Sequence, residues 1–204
     1  MNKGIAKATG EYLLFLNSGD YLVDHQVIEK AIPYLNGDID FISGHLVMQT
    51  DNGRTVKTHP EQLTMSYLMT QNLSHPSTFI HRRTFDTYGY YDEQLTLVGD
   101  WKHFFVSLAL NGASYQAIPV EITLFDTSGI SSNPNNVKIT REEKNKVYQN
   151  YLPYIYNNPI DTYIFKHFNY KSKRFYALYN IDKSTWKRKI ATFLLSLLTR
   201  STNE

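Results

Sequence analysis

The sequence contains no cysteine. That excludes a disulfide framework, a zinc–thiolate centre and a cysteine nucleophile, and it is compatible with a cytoplasmic location. No apolar run approaches the ~20 residues needed to cross a bilayer, and Met1 to Gly10 carries no apolar stretch of signal-peptide type. A soluble or peripheral protein is therefore expected, at the inner face of the cytoplasmic membrane if peripheral. The seven histidines never fall in the His-Glu-Xaa-Xaa-His spacing of a zinc hydrolase. No Gly-Xaa-Ser-Xaa-Gly elbow is present, and no phosphate-binding glycine loop of Walker or Rossmann type.

What is present is a chain of 204 residues, 42% hydrophobic and 20% charged, enough to pack one domain with an appendage. The net charge of +2 hides an asymmetry. Residues 1–137 carry 8 Lys+Arg against 14 Asp+Glu, whereas residues 138–204 carry 13 against 5. The acidic part is unsuited to nucleic acid, whose phosphates need cationic side chains, and no nucleic-acid partner is expected. The basic part can face anionic lipid, nucleic acid or the acidic part itself. The change of sign divides the chain into residues 1–137 and a basic, Tyr/Asn-rich, mostly helical extension over 138–204.

Ile5–Thr9 reads as the end of a short helix capped by Gly10. Glu11–Leu16 is a nearly continuous apolar run, suited to a strand buried on both faces as in a parallel sheet. It stops in the polar turn Asn17-Ser18-Gly19-Asp20. A helix is expected over about His25–Leu35, with Val27, Ile28, Ala31, Ile32 and Leu35 as its apolar stripe. Asp40–Met48 reads as a strand, and Asp51-Asn52-Gly53 as a hairpin turn into Arg54–Lys57. Further elements are a helix at Leu63–Met69, a strand at Ser77–His81, and a helix at Arg82–Tyr88 stopped by Gly89. A helix opened by Asp100 carries Trp101, Phe104, Phe105 and Leu108 on one face, and a strand follows at Tyr115–Val120. Alternating strands and helices imply an α/β layer architecture. Beyond Asn136 periodicity is weak until Ser184. From there Trp186, Ile190, Phe193, Leu194 and Leu197 share one helical face, and Lys187, Arg188, Lys189 and Arg200 lie largely elsewhere.

The segment Asn2–Asp20, with Ala8-Thr9-Gly10 before the apolar run and Asn17-Ser18-Gly19-Asp20 after it, resembles the family 2 glycosyltransferases. The likeness continues through His75-Pro76-Ser77-Thr78-Phe79-Ile80-His81-Arg82, Tyr88-Gly89-Tyr90-Tyr91-Asp92-Glu93 and Gly99-Asp100-Trp101. It ends near Gly129-Ile130-Ser131-Ser132, covering about two-thirds of the chain. Each motif alone is weak; four in order are specific. The resemblance implies a partial GT-A fold, Rossmann-like, with a mixed sheet and flanking helices. It also implies inverting transfer of a sugar from a nucleotide-diphosphate donor, of UDP type, to a saccharide or lipid-linked acceptor in cell-surface polysaccharide synthesis.

By the same resemblance Asp20 is the ligand of a divalent metal, magnesium or manganese, and Asn2, Asn17, Ser18 and Gly19 contact the donor. A hard cation with oxygen ligands suits a diphosphate, and strand ends in open α/β sheets are where ligands bind. The plain alternative for Asp20 is ordinary turn chemistry. Many relatives carry Asp-Ser-Asp-Asp here, so Gly19 removes one carboxylate. Asp100 corresponds to the general base that deprotonates the acceptor hydroxyl; it equally suits a helix cap. His75, Trp101 and Ser131 fall near acceptor or diphosphate by the resemblance. His75 can instead be structural and Trp101 core, and the Asp126–Asn133 loop, likened to one that closes over donor, can be a plain surface loop.

The family's first strand–helix–strand units have no counterpart, so the chain is expected to be a fragment. An inactive remnant serving as a binding or assembly subunit is the alternative to an enzyme. The helix from Ser184 to Arg200 suggests peripheral membrane contact, against simple packing on the rest of the chain.

Overall fold

A computed structural model describes residues 1–50, 53–127, 134–156, 158–169 and 173–200. In its first unit, Met1–Leu152, helix α1 (Asn2–Ile5) precedes two strands of two residues each, β1 (Tyr12–Leu13) and β2 (Tyr21–Leu22). Helix α2 (Val27–Ala31) runs into a 3-10 turn at Ile32–Tyr34. The hairpin β3 (Phe41–Thr50) and β4 (Gly53–Lys57) follows, then α3 (Met65–Thr70), β5 (Thr78–His81) and α4 (Arg83–Tyr88). Helix α5 (Gly99–Phe104) continues as a π-helix over Phe105–Leu110 and leads to β6 (Tyr115–Phe125) and α6 (Val137–Tyr151).

The strands form one mixed sheet in the order β1-β5-β3-β6-β2, with β4 on the distal half of β3. Strand β3 is its axis. It runs parallel to β6 on one side; on the other it pairs antiparallel first with β5 and then with β4. Consecutive residues Phe41 and Ile42 point to opposite faces of the sheet, and both are fully buried because both faces are covered. Phe41 and Ile80 join Ile5, Phe85 and Phe104 on one face, under α1, α4 and α5. Ile42 and Phe79 join Val27, Ala31, Ile118, Val120 and Ile122 on the other, under α2. Helices thus cover both faces of the sheet, the mixed α/β architecture expected. Gly44 is required at the register shift between β3 and β6, because a Cβ there would lie 2.4 Å from Ile122 Cγ1 and 2.5 Å from the Val120 carbonyl oxygen.

Several elements differ from their sequence reading. Helix α1 ends at Ile5 rather than running to Thr9. The apolar run after Gly10 packs on both faces, with Leu13 and Phe15 in one cluster and Tyr12 and Leu14 in the other. Its strand nevertheless ends at Leu13, pairs antiparallel with β5 and occupies the sheet edge. Strand β6 continues past Val120 to Phe125, giving β2 its partner.

The first unit also runs past the change of charge at residue 138 to Leu152. The reason lies in α6, where Glu143, Val147 and Tyr148 are buried. Tyr148 meets the stacked pair Trp101 and Phe105 edge-on, and its hydroxyl donates to the Met69 carbonyl at 3.0 Å.

The second unit, Pro153–Glu204, is helical: α7 (Pro153–Tyr156), α8 (Pro159–Asn169), α9 (Lys173–Asp182) and α10 (Thr185–Arg200). No described helix is long and apolar enough to cross a membrane.

Candidate functional site

Parallel strands β3 and β6 bring their carboxyl ends together, and beside those ends lies a cavity of about 660 Å³. Leu46 and Met48 of β3, with Phe125 and Asp126 at the end of β6, form one part of its wall. The Asn17–Asp20 turn, the Asn72–Pro76 segment, the Tyr91–Leu97 loop and the start of α5 complete it. This is the position where open α/β sheets bind ligands, beyond the strand ends.

Asp20 lines the cavity and ties two loops together. Its Oδ1 accepts from the Asp126 amide at 3.0 Å, and its Oδ2 accepts from the backbone and side-chain nitrogens of Asn17, both at 3.2 Å. The turn depends on Gly19, whose φ is 92°, a conformation that side-chain-bearing residues rarely adopt. A Cβ at Gly19 would also lie 2.3 Å from Asp126 Oδ2. The residue that replaces a carboxylate of the resembled family is therefore the one that admits Asp126 beside Asp20.

Asp100 stands in the first turn of α5, on the wall of the same cavity. Its Oδ1 accepts from the Trp101 amide at 2.7 Å, and its Oδ2 accepts from Asn72 Nδ2 at 3.1 Å. The carbonyl of Asn72 in turn receives Lys57 Nζ at 3.1 Å. Burial pushes the Lys57 ammonium below its ordinary value, and the Asp100 carboxylate works against that shift. A cation and a carboxylate thus share this wall through Asn72. Two buried oxygens on it, Asn72 Oδ1 and Ser74 Oγ, have no hydrogen-bond partner.

His75 is buried, stacked on Phe15 with ring centroids 4.8 Å apart, and its Nε2 lies 2.8 Å from the Tyr91 hydroxyl. Burial lowers the imidazole below its ordinary value, with Asp100 opposing, while burial raises the Tyr91 phenol. Both groups are neutral near pH 7, as a hydrogen-bonded pair in the cavity wall. The loop after Tyr91 is pinned three times. Asn2 holds the Tyr91 backbone, with Nδ2 to the carbonyl at 2.8 Å and Oδ1 from the amide at 3.1 Å. Asp92 takes Lys102 of α5 at 2.6 Å. Glu143 of α6 accepts from the amides of Thr96, Leu97 and Val98 at 2.8, 3.0 and 3.2 Å.

Of the residues singled out from sequence, Asp20, Asp100, His75, Asn2, Asn17 and Ser18 converge on this one cavity. Gly19 shapes its rim. Trp101 does not line it: the ring is 2% exposed in the core, with Nε1 donating to the Leu68 carbonyl at 2.8 Å. Ser131 lies outside the described residues. Lys57, Asn72, Tyr91 and Glu143 carried no assigned role from sequence, and Asp126 entered only as the first residue of a loop. One local signal was available: a carboxylate directly after a strand, which Asp126 shares with the ligand-binding position of α/β folds.

The geometry defines an α/β protein with an acidic loop pair and a separate carboxylate facing one cavity. No protein-family model matches the chain. In sequence it is similar to glycosyltransferases. It is 27% identical over 103 residues to the PGL/p-HBAD biosynthesis glycosyltransferases of Mycobacterium bovis and Mycobacterium tuberculosis, a stretch covering 50% of this chain and 39% of each relative. The chain thus matches well under half the length of these curated relatives. Among solved structures, it superposes on S. aureus TarS 1-349 with TM-score 0.47 and 21% identity, over 62% of this chain and 39% of that one. A second S. aureus TarS structure gives TM-score 0.43 and 19% identity, over 74% and 29%.

Proposed function

We propose that the chain is part of a glycosyltransferase that moves a sugar from a nucleoside-diphosphate donor, of UDP type, to a saccharide or lipid-linked acceptor with inversion. The observation that carries this reading is the convergence of Asp20 and Asp100 on one cavity at the carboxyl ends of β3 and β6. The likeness of half the chain to glycosyltransferases supports it.

In this reading the acceptor hydroxyl lies against Asp100, whose carboxylate takes its proton. The acceptor oxygen forms the new bond to the anomeric carbon as the bond from that carbon to the diphosphate breaks. The diphosphate leaves with the electron pair, and one displacement from the opposite side inverts the centre. Asn72 and the Trp101 amide hold the carboxylate in place.

The donor set decides whether a divalent cation fits. Three N–H groups occupy Asp20, leaving about one of the roughly four lone-pair sites of a carboxylate. Among the described residues no cluster of three or more His, Asp or Glu side chains is present. A closed protein cage is therefore not what these residues offer. They do fit an ion of magnesium type, which takes one or two carboxylates and completes its shell with water and phosphate oxygens. Asp20 and Asp126 would hold it. Bound there, such an ion offsets the charge gathering on the departing diphosphate.

Calorimetric titration of the chain with UDP, with and without manganese, tests the reading. Metal-dependent binding that Asp20→Ala abolishes is expected. Absence of binding in manganese, or binding indifferent to both metal and Asp20, contradicts it. A second reading, a non-catalytic binding or assembly subunit, draws on the three N–H groups that already occupy Asp20.

A further inference from the structure

We propose that α10 seats the chain on an anionic lipid surface, its apolar face in the acyl boundary and its basic residues against the headgroups. Trp186, Ile190, Phe193, Leu194 and Leu197 recur at i, i+4, i+7, i+8 and i+11, which places them on one stripe of the helix. All five are 49–63% exposed. A soluble monomer rarely leaves so continuous an apolar stripe in water. At ~100° per residue, Lys187 and Lys189 fall on the two edges of that stripe and Arg188 behind it. Lys187 Nζ sits 5.8 Å from the centroid of the Trp186 ring. Long basic side chains at the borders of an apolar face can reach headgroups while their stems stay in the boundary.

Charge selects lipid over a second copy. The second unit carries nine Lys+Arg against three Asp+Glu, and no acidic residue occurs from Lys183 to Asn203. A second copy laid face to face, parallel or antiparallel, would offer Lys187 and Lys189 no carboxylate, because the helix has none. Anionic headgroups supply the missing charge, and each basic residue near such a surface strengthens binding about fivefold. At 16 residues the helix is about 24 Å long, short of the ~20 apolar residues a bilayer crossing needs, and it carries three consecutive basic residues in its first turns, so it lies in the interface rather than across it. The inference uses no residue of the cavity; its failure leaves the transferase reading untouched.

The chain has two tryptophans, Trp101 in the core at 2% exposure and Trp186 on this stripe. Emission changes on adding vesicles to the full chain therefore report Trp186. Vesicles of equal parts phosphatidylglycerol and phosphatidylcholine should shift the emission to the blue and saturate, with a much weaker effect from phosphatidylcholine alone. Replacing Lys187, Arg188 and Lys189 by Gln should weaken the apparent affinity roughly a hundredfold. Phe193→Glu with Leu197→Glu should abolish the shift while helical circular dichroism is retained. No shift with the anionic vesicles overturns the proposal. So does an equal shift in the Glu variant, or a concentration-dependent shift without lipid that shows the stripe closing on a second copy.

Discussion

Glu143 offers the sharpest test of how the cavity is held. Its carboxylate reaches from α6 to three consecutive amides, Thr96, Leu97 and Val98, and is 7% exposed. Val98 precedes the first residue of α5, so these donors include the open end of the helix that carries Asp100. Hydrogen bonds to a charged group contribute about 1.5–3 kcal/mol each, and buried amides left without partners carry a further penalty. The three share one acceptor and do not add in full, so Glu143→Ala should cost about 3–4 kcal/mol. For a unit of this size that lowers the melting temperature by on the order of 10 °C. Glu142→Ala is the control: Glu142 is exposed and faces Lys138 only at 3.9 Å, so its loss should be below about 0.5 kcal/mol. Urea unfolding gives both numbers, and amide exchange at residues 96–98 locates the effect. A loss under about 1 kcal/mol for Glu143→Ala, with exchange at those amides unchanged, refutes the reasoning.

Three further outcomes are expected. Gly19→Ala must place a side chain at φ 92° and against Asp126. It should destabilise by about 1–3 kcal/mol and weaken UDP binding, and an unchanged melting temperature counts against the geometry of the turn. Burial pushes His59 and His103 down to about 4, with Lys57 adding to the shift at His59 and His75 at His103. Their folded values lie below the unfolded one, so the unfolded chain binds protons first as pH falls. Stability should be full above about pH 6.5 and fall towards pH 4, by up to about 3 kcal/mol per histidine; a urea midpoint flat across that window contradicts this. Asp100→Asn should keep UDP binding and lower transfer by roughly 10²–10⁴-fold, measured as sugar incorporated into acceptor, and full transfer by the variant removes Asp100 as the base.

Local patterns in the sequence carried the parts of the fold that local forces decide. The apolar content of Asp40–Met48 and the Asp51-Asn52-Gly53 signal mark the β3–β4 hairpin, and Gly89, at φ 92°, stops α4 where expected. Pairing between distant residues was not legible. An apolar run such as Glu11–Leu16 reads alike for parallel and antiparallel neighbours, and Tyr21–Leu22 becomes a strand only because β6 passes beside it. That α6 belongs to the first unit was not legible within the helical extension, because its buried side is Glu143, Val147 and Tyr148, a short stripe led by a carboxylate in a polar segment. Trp101 shares a helical face with Phe105, and the structure resolves its two readings in favour of the core. Asp20 and Asp100 were singled out through resemblance and now share a cavity. Lys57, Asn72 and Asp126 reach it only through the chain's return from separate strands and loops.

Diffraction from crystals of the chain grown with UDP and manganese tests the central claim most directly. The account predicts diphosphate and metal in the cavity beside Asp20 and Asp126, with Asp100 facing the open side of the site. A diphosphate bound elsewhere, or a cavity without ligand in which Asp20 remains engaged by Asn17 and the Asp126 amide, would contradict it.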